Sequence, residues 1–280
     1  MKISILGYGI FGSAIASRLV LNKHEIIKEE INKDTDVVLV AVPSYAVSDV
    51  LISNKNKISN DQKIIICSKG FDKSGGLFSK VLEKEFSNNQ IYFLYGPTLA
   101  EELRNGVFSV MVLAGGDGKE ELKKQIELPD LKIQLSDDIV GVQVGSALKN
   151  TVGIFVGLVE GAGFGENTQG FIYSKGLQEI QKIGVYMGAK SDTFLGFTCA
   201  GDLFVRSRSR MLGVEIGKGR NFEEVAKEMT YPKEGIASLL NILKMEGNPD
   251  IDLSFFKLIN EIIFEDIPVK EAVEKLAERI

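Results

Sequence analysis

The chain has 280 residues, of which 44% are apolar, and its 33 Lys and Arg against 38 Asp and Glu give a net charge of −5. Its length and apolar content suit two folded domains and argue against disorder, while the acidic balance argues against a nucleic-acid partner. Two distant cysteines and one histidine argue against a disulfide framework and a metal site, so we expect no metal cofactor. The apolar runs fall short of the ~20 residues of a membrane span, so we expect a cytoplasmic protein.

The first half of the chain alternates strand and helix patterns. Its strand-like runs are mostly continuous stretches of apolar residues, which is typical of strands covered on both faces in a parallel sheet. The predicted strands are 2–6, 24–28, 37–42, 63–67, 91–95, 107–114 and 131–135, and the predicted helices are 10–22, 45–52, 76–86 and 119–127. This alternation predicts a Rossmann-like, doubly wound α/β sheet with helices on both faces.

The second half has helical patterns alone. The predicted helices are 137–161, 168–187, 222–229, 233–246, 253–264 and 269–278. The change of pattern predicts two domains, an α/β domain at residues 1–135 and an all-helical domain at residues 136–280.

The motif Gly-Tyr-Gly-Ile-Phe-Gly directly follows the first strand and opens the first helix. Gly7 permits a tight turn, Gly9 lets the backbone approach a pyrophosphate, and Gly12 allows the helix to pack closely on the strand. Ile10 and Phe11 then stand at the helix N-terminus, whose free N–H groups bind phosphates. The first domain is therefore predicted to bind a dinucleotide; a glycine-rich turn without a ligand is the alternative.

An acidic residue about 20 positions after such a motif often binds the ribose hydroxyls. Glu29 and Glu30 lie near that spacing, in a short polar stretch before the third strand. Either could contact ribose, but a solvent-exposed charged turn is the favoured interpretation.

Polar turns follow three of the predicted strands, at Ser44, at Lys69 and at residues 96–98. Ligands of open parallel sheets bind beyond the carboxyl ends of the strands, so these turns should line the same edge as the glycine motif. Lys69 would place a cation there for an anionic ligand, although a lysine considered alone is more often an ordinary surface residue.

The predicted helix 137–161 has a small residue at nearly every fourth position, and Lys149 occupies the one remaining step of the series. The glycines are Gly141, Gly145, Gly153, Gly157 and Gly161. Residues four apart share one ridge of a helix, so something should pack closely against this ridge and desolvate Lys149. Desolvation lowers the pKa of a lysine and suits it to proton transfer, with Asn150 as an orienting neighbour. The alternative is helix packing, within or between chains, with the lysine reaching solvent.

Asp202 lies in a Gly-Asp-Leu sequence and is followed closely by Arg206, Arg208 and Arg210. The aspartate could hold a catalytic lysine through a charged hydrogen bond, and arginine forks bind phosphate oxygens in a bidentate way. A solvated basic turn or an ion-pair site for nearby acids is the alternative.

Together these motifs resemble the NAD(P)-dependent glycerol-3-phosphate dehydrogenase family. The glycine motif resembles the family's fingerprint, with Phe11 at its usual aromatic position. The other matching segments are Val42-Pro43-Ser44, Lys69-Gly70, Gly96-Pro97-Thr98-Leu99-Ala100-Glu101, Ala147-Leu148-Lys149-Asn150, Gly201-Asp202-Leu203, Ser209-Arg210-Met211 and Glu234-Gly235.

The resemblance implies reversible hydride transfer between NADH or NADPH and dihydroxyacetone phosphate, giving sn-glycerol 3-phosphate for glycerophospholipid synthesis. It implies that Lys149 is catalytic and is positioned by Asp202 and Asn150. The implied substrate contacts are Lys69, Gly96, Thr98, Ser209, Arg210 and Met211. The implied cofactor contacts are Gly7, Gly9, Ile10, Phe11, Gly12, Ser44, Lys69, Ala100, Arg210 and Glu234. We also expect a homodimer.

Two features depart from the family pattern. Met211 stands where the family has an asparagine that helps to hold substrate, and the segment around the second strand is much shorter than the family's. The shortening leaves the choice between NAD and NADP open. Two other interpretations remain: a β-hydroxyacid-type dehydrogenase whose arginines bind a carboxylate, and a non-catalytic NAD(P)-binding sensor.

Overall fold

The protein is described by a computed structural model over residues 1–229, 233–245, 248 and 250–279. Its first half is one seven-stranded sheet, and all seven predicted strands are confirmed. The strands are β1 (Lys2–Leu6), β2 (Glu25–Lys28), β3 (Val37–Val40), β4 (Lys63–Ile66), β5 (Ile91–Tyr95), β6 (Ser109–Gly115) and β7 (Leu131–Ser136). Their order in the sheet is β2-β1-β3-β4-β5-β6-β7.

The sheet is mixed, because β6 runs antiparallel to β5 while every other neighbouring pair is parallel. The chain between these two strands contains only a short helix, α4 (Ala100–Arg104), which the sequence patterns did not reveal. An antiparallel neighbour needs no crossover helix to return the chain along the sheet. The chain therefore enters β6 from the edge at which β5 ended.

Helices cover both faces of the sheet, as predicted. The remaining helices of this half are α1 (Ile10–Leu21), α2 (Val47–Ser53), α3 (Phe78–Glu83) and α5 (Lys119–Ile126). In β3, Val37 and Leu39 pack in the core under α1 and α5, whereas Val38 and Val40 pack in the core under α2 and α3. This period of two explains the continuous apolar runs, because residues on both faces of each strand are buried.

After β7 the described residues contain helices and loops but no strand. The helices are α6 (Ile139–Gly161), α7 (Glu166–Tyr186), α8 (Asp202–Phe204), α9 (Arg208–Gly217), α10 (Phe222–Glu228), α11 (Lys233–Leu243), α12 (Ser254–Phe264) and α13 (Val269–Ala277). The predicted end of the helix at Glu246 lies outside the described residues. Helix α9 and the helical turns before it, Ser191–Leu195 and Phe197–Gly201, were not predicted.

Helix α6 is the centre of the helical half. It is long and apolar enough to cross a membrane by length and composition, but 89% of its most apolar window is buried inside the fold. Asp138 caps its start, since one carboxylate oxygen accepts the N–H of Gly141 at 2.8 Å and the other accepts the N–H of Lys190 at 2.8 Å. The apolar surface of this helix is thus covered by the protein itself.

The C-terminal part of the glycine ridge of α6, at Gly157 and Gly161, packs directly on α9. A methyl group at Gly157 would overlap the carbonyl oxygen of Arg210, and one at Gly213 of α9 would overlap the carbonyl oxygen of Ile154. The two backbones therefore touch at glycines contributed by both helices. The close packing expected of the ridge lies within the chain in this region.

The connection between β2 and β3 is short. Residues 29–36, all described by the structure, contain no helix. Within them Ile31 is buried in the core beside Val38, and Gln62 donates hydrogen bonds to the carbonyl oxygens of Asn32 and Thr35. This segment covers part of the sheet that a crossover helix would otherwise cover.

Candidate active site

Lys149 lies in the middle of α6 and is only 4% exposed. Its ammonium group donates to one carboxylate oxygen of Asp202 at 3.0 Å and contacts the carbonyl oxygen of Asp202 at 3.4 Å. Burial lowers the pKa of Lys149; the opposing effect of Asp202 is outweighed, and the positive charge of Lys69 lowers this pKa further. The lysine does not reach bulk solvent, so the desolvated position expected from the glycine ridge is confirmed.

Asp202 is held by the helical turns that precede it. Phe197–Gly201 forms a π-helical turn, a geometry that often marks functional sites, and leads directly into Asp202. The hydroxyl of Tyr173 donates to the carbonyl oxygen of Ala200 at 2.6 Å, and that of Ser146 donates to Thr198 at 3.4 Å. These bonds fix the turn on α6 and α7.

Lys69 joins the two halves of the molecule at this point. It follows β4, and its ammonium group donates to the second carboxylate oxygen of Asp202 at 2.6 Å. The same group donates to the carbonyl oxygen of Gly96, after β5, at 2.8 Å, and the hydroxyl of Thr98 donates to this carbonyl at 3.4 Å. The predicted meeting of the polar turns therefore occurs, and it occurs against the carboxylate beside Lys149.

Glu234 enters the same region from the first turn of α11. One of its carboxylate oxygens accepts the N–H of Ser44, after β3, at 2.9 Å. The other oxygen is buried and has no hydrogen-bond partner among the described residues. Burial raises the pKa of Glu234. Gly235 permits this approach, because a methyl group there would lie 3.0 Å from the carbonyl oxygen of Asn150 on α6.

The glycine motif has the geometry of a dinucleotide-binding turn. Gly7 adopts a φ of +93°, which favours glycine, and a methyl group there would lie 2.5 Å from the backbone of Ala41. A methyl group at Gly12 would overlap the carbonyl oxygen of Gly7, whereas no described atom lies within 4 Å of one at Gly9. No described side chain caps the N-terminus of α1. Its N–H groups are therefore available to an anion.

Glu29 contacts the glycine motif, which the sequence did not lead us to favour. Its carboxylate accepts the N–H of Gly7 at 3.1 Å and the N–H of Tyr8 at 2.5 Å. The residue has a φ of +57°, a left-handed conformation that is uncommon for a glutamate. Glu30 is exposed.

These observations fit a bound nicotinamide dinucleotide. The open N-terminus of α1 suits a pyrophosphate, and the unpaired buried oxygen of Glu234 suits a donor that the described residues do not provide. In the part of the chain that the structure describes, no group of three or more His, Cys, Asp or Glu side chains could hold a metal ion.

The three arginines of the cluster have different surroundings: Arg206 and Arg210 pair with Glu160, whereas Arg208 is exposed. The guanidinium of Arg210 donates to Glu160 at 2.9 Å and to Gln169 at 3.0 Å, and Arg206 donates to the other oxygen of Glu160 at 2.8 Å. Burial of Glu160 tends to raise its pKa, but the hydrogen bonds from both arginines outweigh this and hold the pKa below its usual range. Arg208, in the first turn of α9, is exposed.

The consecutive residues Ser209, Arg210 and Met211 do not share a face. All three lie in α9, where successive side chains point about 100° apart. Ser209 is 5% exposed and Met211 is 47% exposed. Of the other predicted contacts, Asn150 is buried beside Lys149, and Ala100 begins α4.

Comparisons with known proteins agree with this architecture. The family model described as NAD-dependent glycerol-3-phosphate dehydrogenase C-terminus matches residues 138–274, and the corresponding N-terminus model matches residues 27–121. A glycerol-3-phosphate dehydrogenase (NAD(P)+) of Clostridium perfringens is 32% identical over 260 residues, covering 90% of this chain and 78% of the relative. The crystal structure of a glycerol-3-phosphate dehydrogenase from Coxiella burnetii shares the fold, with a TM-score of 0.92, 22% identity and coverage of 99% and 98% of the two chains.

A relative from Thermoanaerobacter sp., also a glycerol-3-phosphate dehydrogenase (NAD(P)+), is 32% identical and covers 100% of this chain and 97% of its own. That alignment runs over 323 positions, more than the 280 residues present here, so the relative has residues that this chain lacks. Together with the two matching family models, these relatives show that the chain belongs to the NAD(P)-dependent glycerol-3-phosphate dehydrogenase family.

Proposed function

We propose that Lys149 is the proton donor in the reaction of this family, the NAD(P)-dependent reduction of dihydroxyacetone phosphate to sn-glycerol 3-phosphate. The observation that carries the proposal is the buried contact between Lys149 and Asp202 at 3.0 Å, with Lys69 on the other carboxylate oxygen at 2.6 Å. It places two cations beside the turns that follow β4 and β5, where a phosphorylated ketone would be bound by charge.

The chemistry needs a hydride at the carbonyl carbon and a proton at the carbonyl oxygen. The reduced nicotinamide supplies the hydride when it is bound. Lys149 holds the proton at its ammonium group, donates it to the carbonyl oxygen, and is left as the neutral amine; the reverse reaction returns the proton. Its lowered pKa suits this exchange near neutral pH, and Asp202 keeps the ammonium group in place. Asn150, the next residue on α6, would assist in this positioning.

The cofactor would be held at the carboxyl edge of the sheet. We assign the pyrophosphate to the N-terminus of α1, formed by Gly7, Gly9, Ile10, Phe11 and Gly12. Ser44, Lys69, Ala100, Arg210 and Glu234 complete the proposed set of cofactor contacts. In this proposal residues 1–135 form the dinucleotide-binding domain and residues 136–280 supply the catalytic lysine.

The substrate phosphate would be bound by Lys69, Gly96 and Thr98 from the sheet, and by the first turn of α9. Because Arg210 is engaged by Glu160, its use as a phosphate ligand requires that ion pair to open. Arg208 is exposed in the first turn of the same helix. The helix begins beside Gly153, one turn of α6 from Lys149, since a methyl group at Gly153 would lie 3.5 Å from the hydroxyl of Ser207. We therefore give Arg208 the larger role.

Ser209 and Met211 complete the proposed substrate segment. Met211 offers no hydrogen-bonding amide in the place of the family's asparagine, so the neighbouring groups must hold the substrate without it.

We further propose a cytoplasmic homodimer. Leu195 and Phe204, which are 73% and 79% exposed, offer apolar surface for such a pairing in the helical half.

Initial rates of NADH and NADPH oxidation test the function. The protein should oxidise at least one of them with dihydroxyacetone phosphate and much more slowly with unphosphorylated dihydroxyacetone. Faster turnover of a 3-oxo carboxylate would instead support the β-hydroxyacid type of dehydrogenase. Cofactor binding without turnover of any of these ketones would support a sensor.

A further inference from the structure

The carboxylate of Glu29 lies against the start of the glycine motif. Glu29 directly follows β2, and β2 is the strand next to β1, which leads into the motif. Its carboxylate receives the N–H groups of Gly7 and Tyr8, at 3.1 and 2.5 Å, and leaves those of the α1 N-terminus uncapped. Glu29 makes this contact from a left-handed φ of +57°, which has a cost in backbone energy for a residue other than glycine.

The segment that follows Glu29 is acidic and contains no arginine. Residues 29–36 include Glu29, Glu30, Asp34 and Asp36, with Lys33 as the only basic residue. The sequence has no arginine between positions 18 and 104. Arginine is the residue that commonly receives the 2′-phosphate of NADP after the second strand of this fold, because its fork matches phosphate oxygens.

Lys28, the residue before Glu29, is a cation that could instead bind a 2′-phosphate. The ammonium group of Lys28 lies 4.5 Å from the centroid of the Tyr8 ring. A cation over an aromatic face is already partly satisfied, and a single lysine is a point charge without a bidentate fork. The carboxylate of Glu29 is in hydrogen-bond contact with the motif itself, and each of its two oxygens keeps a further lone pair that would accept a ribose hydroxyl.

We propose that Glu29 is the specificity-determining residue for the cofactor and that it selects NADH over NADPH. Its carboxylate would accept hydrogen bonds from the ribose hydroxyls, and it would repel a phosphate in place of the 2′-hydroxyl. The proposal rests on dinucleotide binding at the glycine motif, but it does not depend on catalysis by Lys149. It would let a chain with so short a connection after β2 distinguish the two cofactors.

Calorimetric titration with ADP-ribose and 2′-phospho-ADP-ribose tests the proposal without any turnover. The wild-type protein should bind ADP-ribose at least about tenfold more tightly, the ratio that corresponds to 1.4 kcal/mol. NADH and NADPH should show the same order. In Glu29→Gln, which keeps the shape of the side chain and removes the charge, the ratio should fall to near one. Added salt should also reduce the wild-type ratio, because it screens the repulsion.

Glu30→Gln is the matched control, since it removes the same charge from the adjacent exposed residue and should keep the wild-type ratio. Lys28→Met should keep it as well. The proposal is overturned if the wild type binds the 2′-phosphorylated ligand equally or more tightly, or if Glu29→Gln leaves the ratio unchanged. Equal loss of the ratio in Glu29→Gln and Glu30→Gln would also overturn it, because the effect would then be general charge. Selective binding without ketone turnover would reject the catalytic proposal alone.

Discussion

Lys69 and Lys149 donate to opposite oxygens of one carboxylate, that of Asp202, at 2.6 and 3.0 Å. The two lysines come from different halves of the chain, one from the turn after β4 and the other from the middle of α6. Two positive charges thus share one buried negative charge. The three groups together carry one net positive charge, which would attract a phosphorylated substrate. The pKa of Lys149 is lowered mainly by its burial; Lys69 lowers it further, and Asp202 opposes the shift.

Opposite shifts in pH dependence should follow from removing the two neighbours of Lys149. Reduction requires protonated Lys149, so kcat/KM should fall as pH rises through its pKa. Asp202 raises that pKa and Lys69 lowers it. Asp202→Asn should therefore move the alkaline limb to lower pH, and Lys69→Met should move it to higher pH, each by about one unit, or 1.36 kcal/mol.

Profiles of kcat/KM between pH 6 and 10.5 would measure both shifts, the upper limit being the ordinary pKa of lysine. Circular dichroism would confirm that each variant is folded. Because Lys69 is also a proposed substrate ligand, its variant should lose activity at every pH, but the direction of the limb is a separate result. If the alkaline limbs of both variants shift in the same direction, or if neither shifts, Lys149 is not the group whose titration limits kcat/KM.

The contact between α6 and α9 should be sensitive to a single methyl group. Gly157→Ala would overlap the carbonyl oxygen of Arg210 on α9, so we expect a loss of about 1–3 kcal/mol in the free energy of unfolding. Gly170→Ala is the matched control, because Gly170 lies within helix α7 and no described atom is within 4 Å of the new methyl group. It should gain about 0.4–1 kcal/mol. Urea unfolding measures both; equal effects would contradict the packing described for the ridge.

Glu234→Gln tests the unpaired carboxylate oxygen. A glutamine keeps one oxygen for the N–H of Ser44 but loses the second acceptor, so the dissociation constant for NADH should rise about tenfold. Fluorescence of bound NADH provides the measurement. An unchanged dissociation constant would mean that the oxygen does not meet the cofactor.

The same variant carries a prediction for stability. Burial raises the pKa of Glu234, so the native state holds this proton more strongly than the unfolded chain does. For wild type, stability is therefore lost as pH rises above the ordinary value of 4.5 toward the raised pKa. Glu234→Gln should lack this loss and be at least as stable as wild type at pH 7.5. Thermal unfolding at pH 4.5 and pH 7.5 would show it, and a clearly less stable variant at pH 7.5 would contradict it.

Substitutions of the two arginines of α9, Arg208 and Arg210, should have different effects on KM. Arg208→Ala should raise KM for dihydroxyacetone phosphate by about tenfold or more, as loss of a charged hydrogen bond does. Arg210→Ala should change KM less and instead lower stability by about 1 kcal/mol or less, since Glu160 keeps Arg206 as a partner and the pair is partly solvated. A larger KM effect in Arg210→Ala would show that Arg210 leaves Glu160 to bind substrate.

The sheet could be predicted from its sequence because every strand is buried on both faces and is therefore a continuous apolar run. The antiparallel direction of β6 could not be predicted, because a continuous apolar run has the same pattern in either strand direction. Helix α9 was missed for a related reason. Its arginines, Gly213 and Gly217 give no amphipathic pattern, and only its contact with α6 explains those glycines.

Lys69 and Ser44 could be predicted as site residues because each is a polar residue in the turn that follows a predicted strand. Lys149 could be predicted because it interrupts a ridge of glycines on one helix. The contact of Glu29 with the glycine motif depends on one left-handed residue, which the sequence does not show. The pairing of Arg210 with Glu160 depends on the phase of an unpredicted helix.

Turnover by Lys149→Met tests the central claim most directly. Asp202 keeps Lys69 as a partner in this variant, so the fold and the binding of NADH should persist. With saturating dihydroxyacetone phosphate and NADH, kcat should fall by about 10²–10⁴-fold, the usual contribution of a general acid, while the dissociation constant for NADH changes little. A folded variant whose kcat stays close to that of the wild type would contradict the assignment of Lys149 as the proton donor.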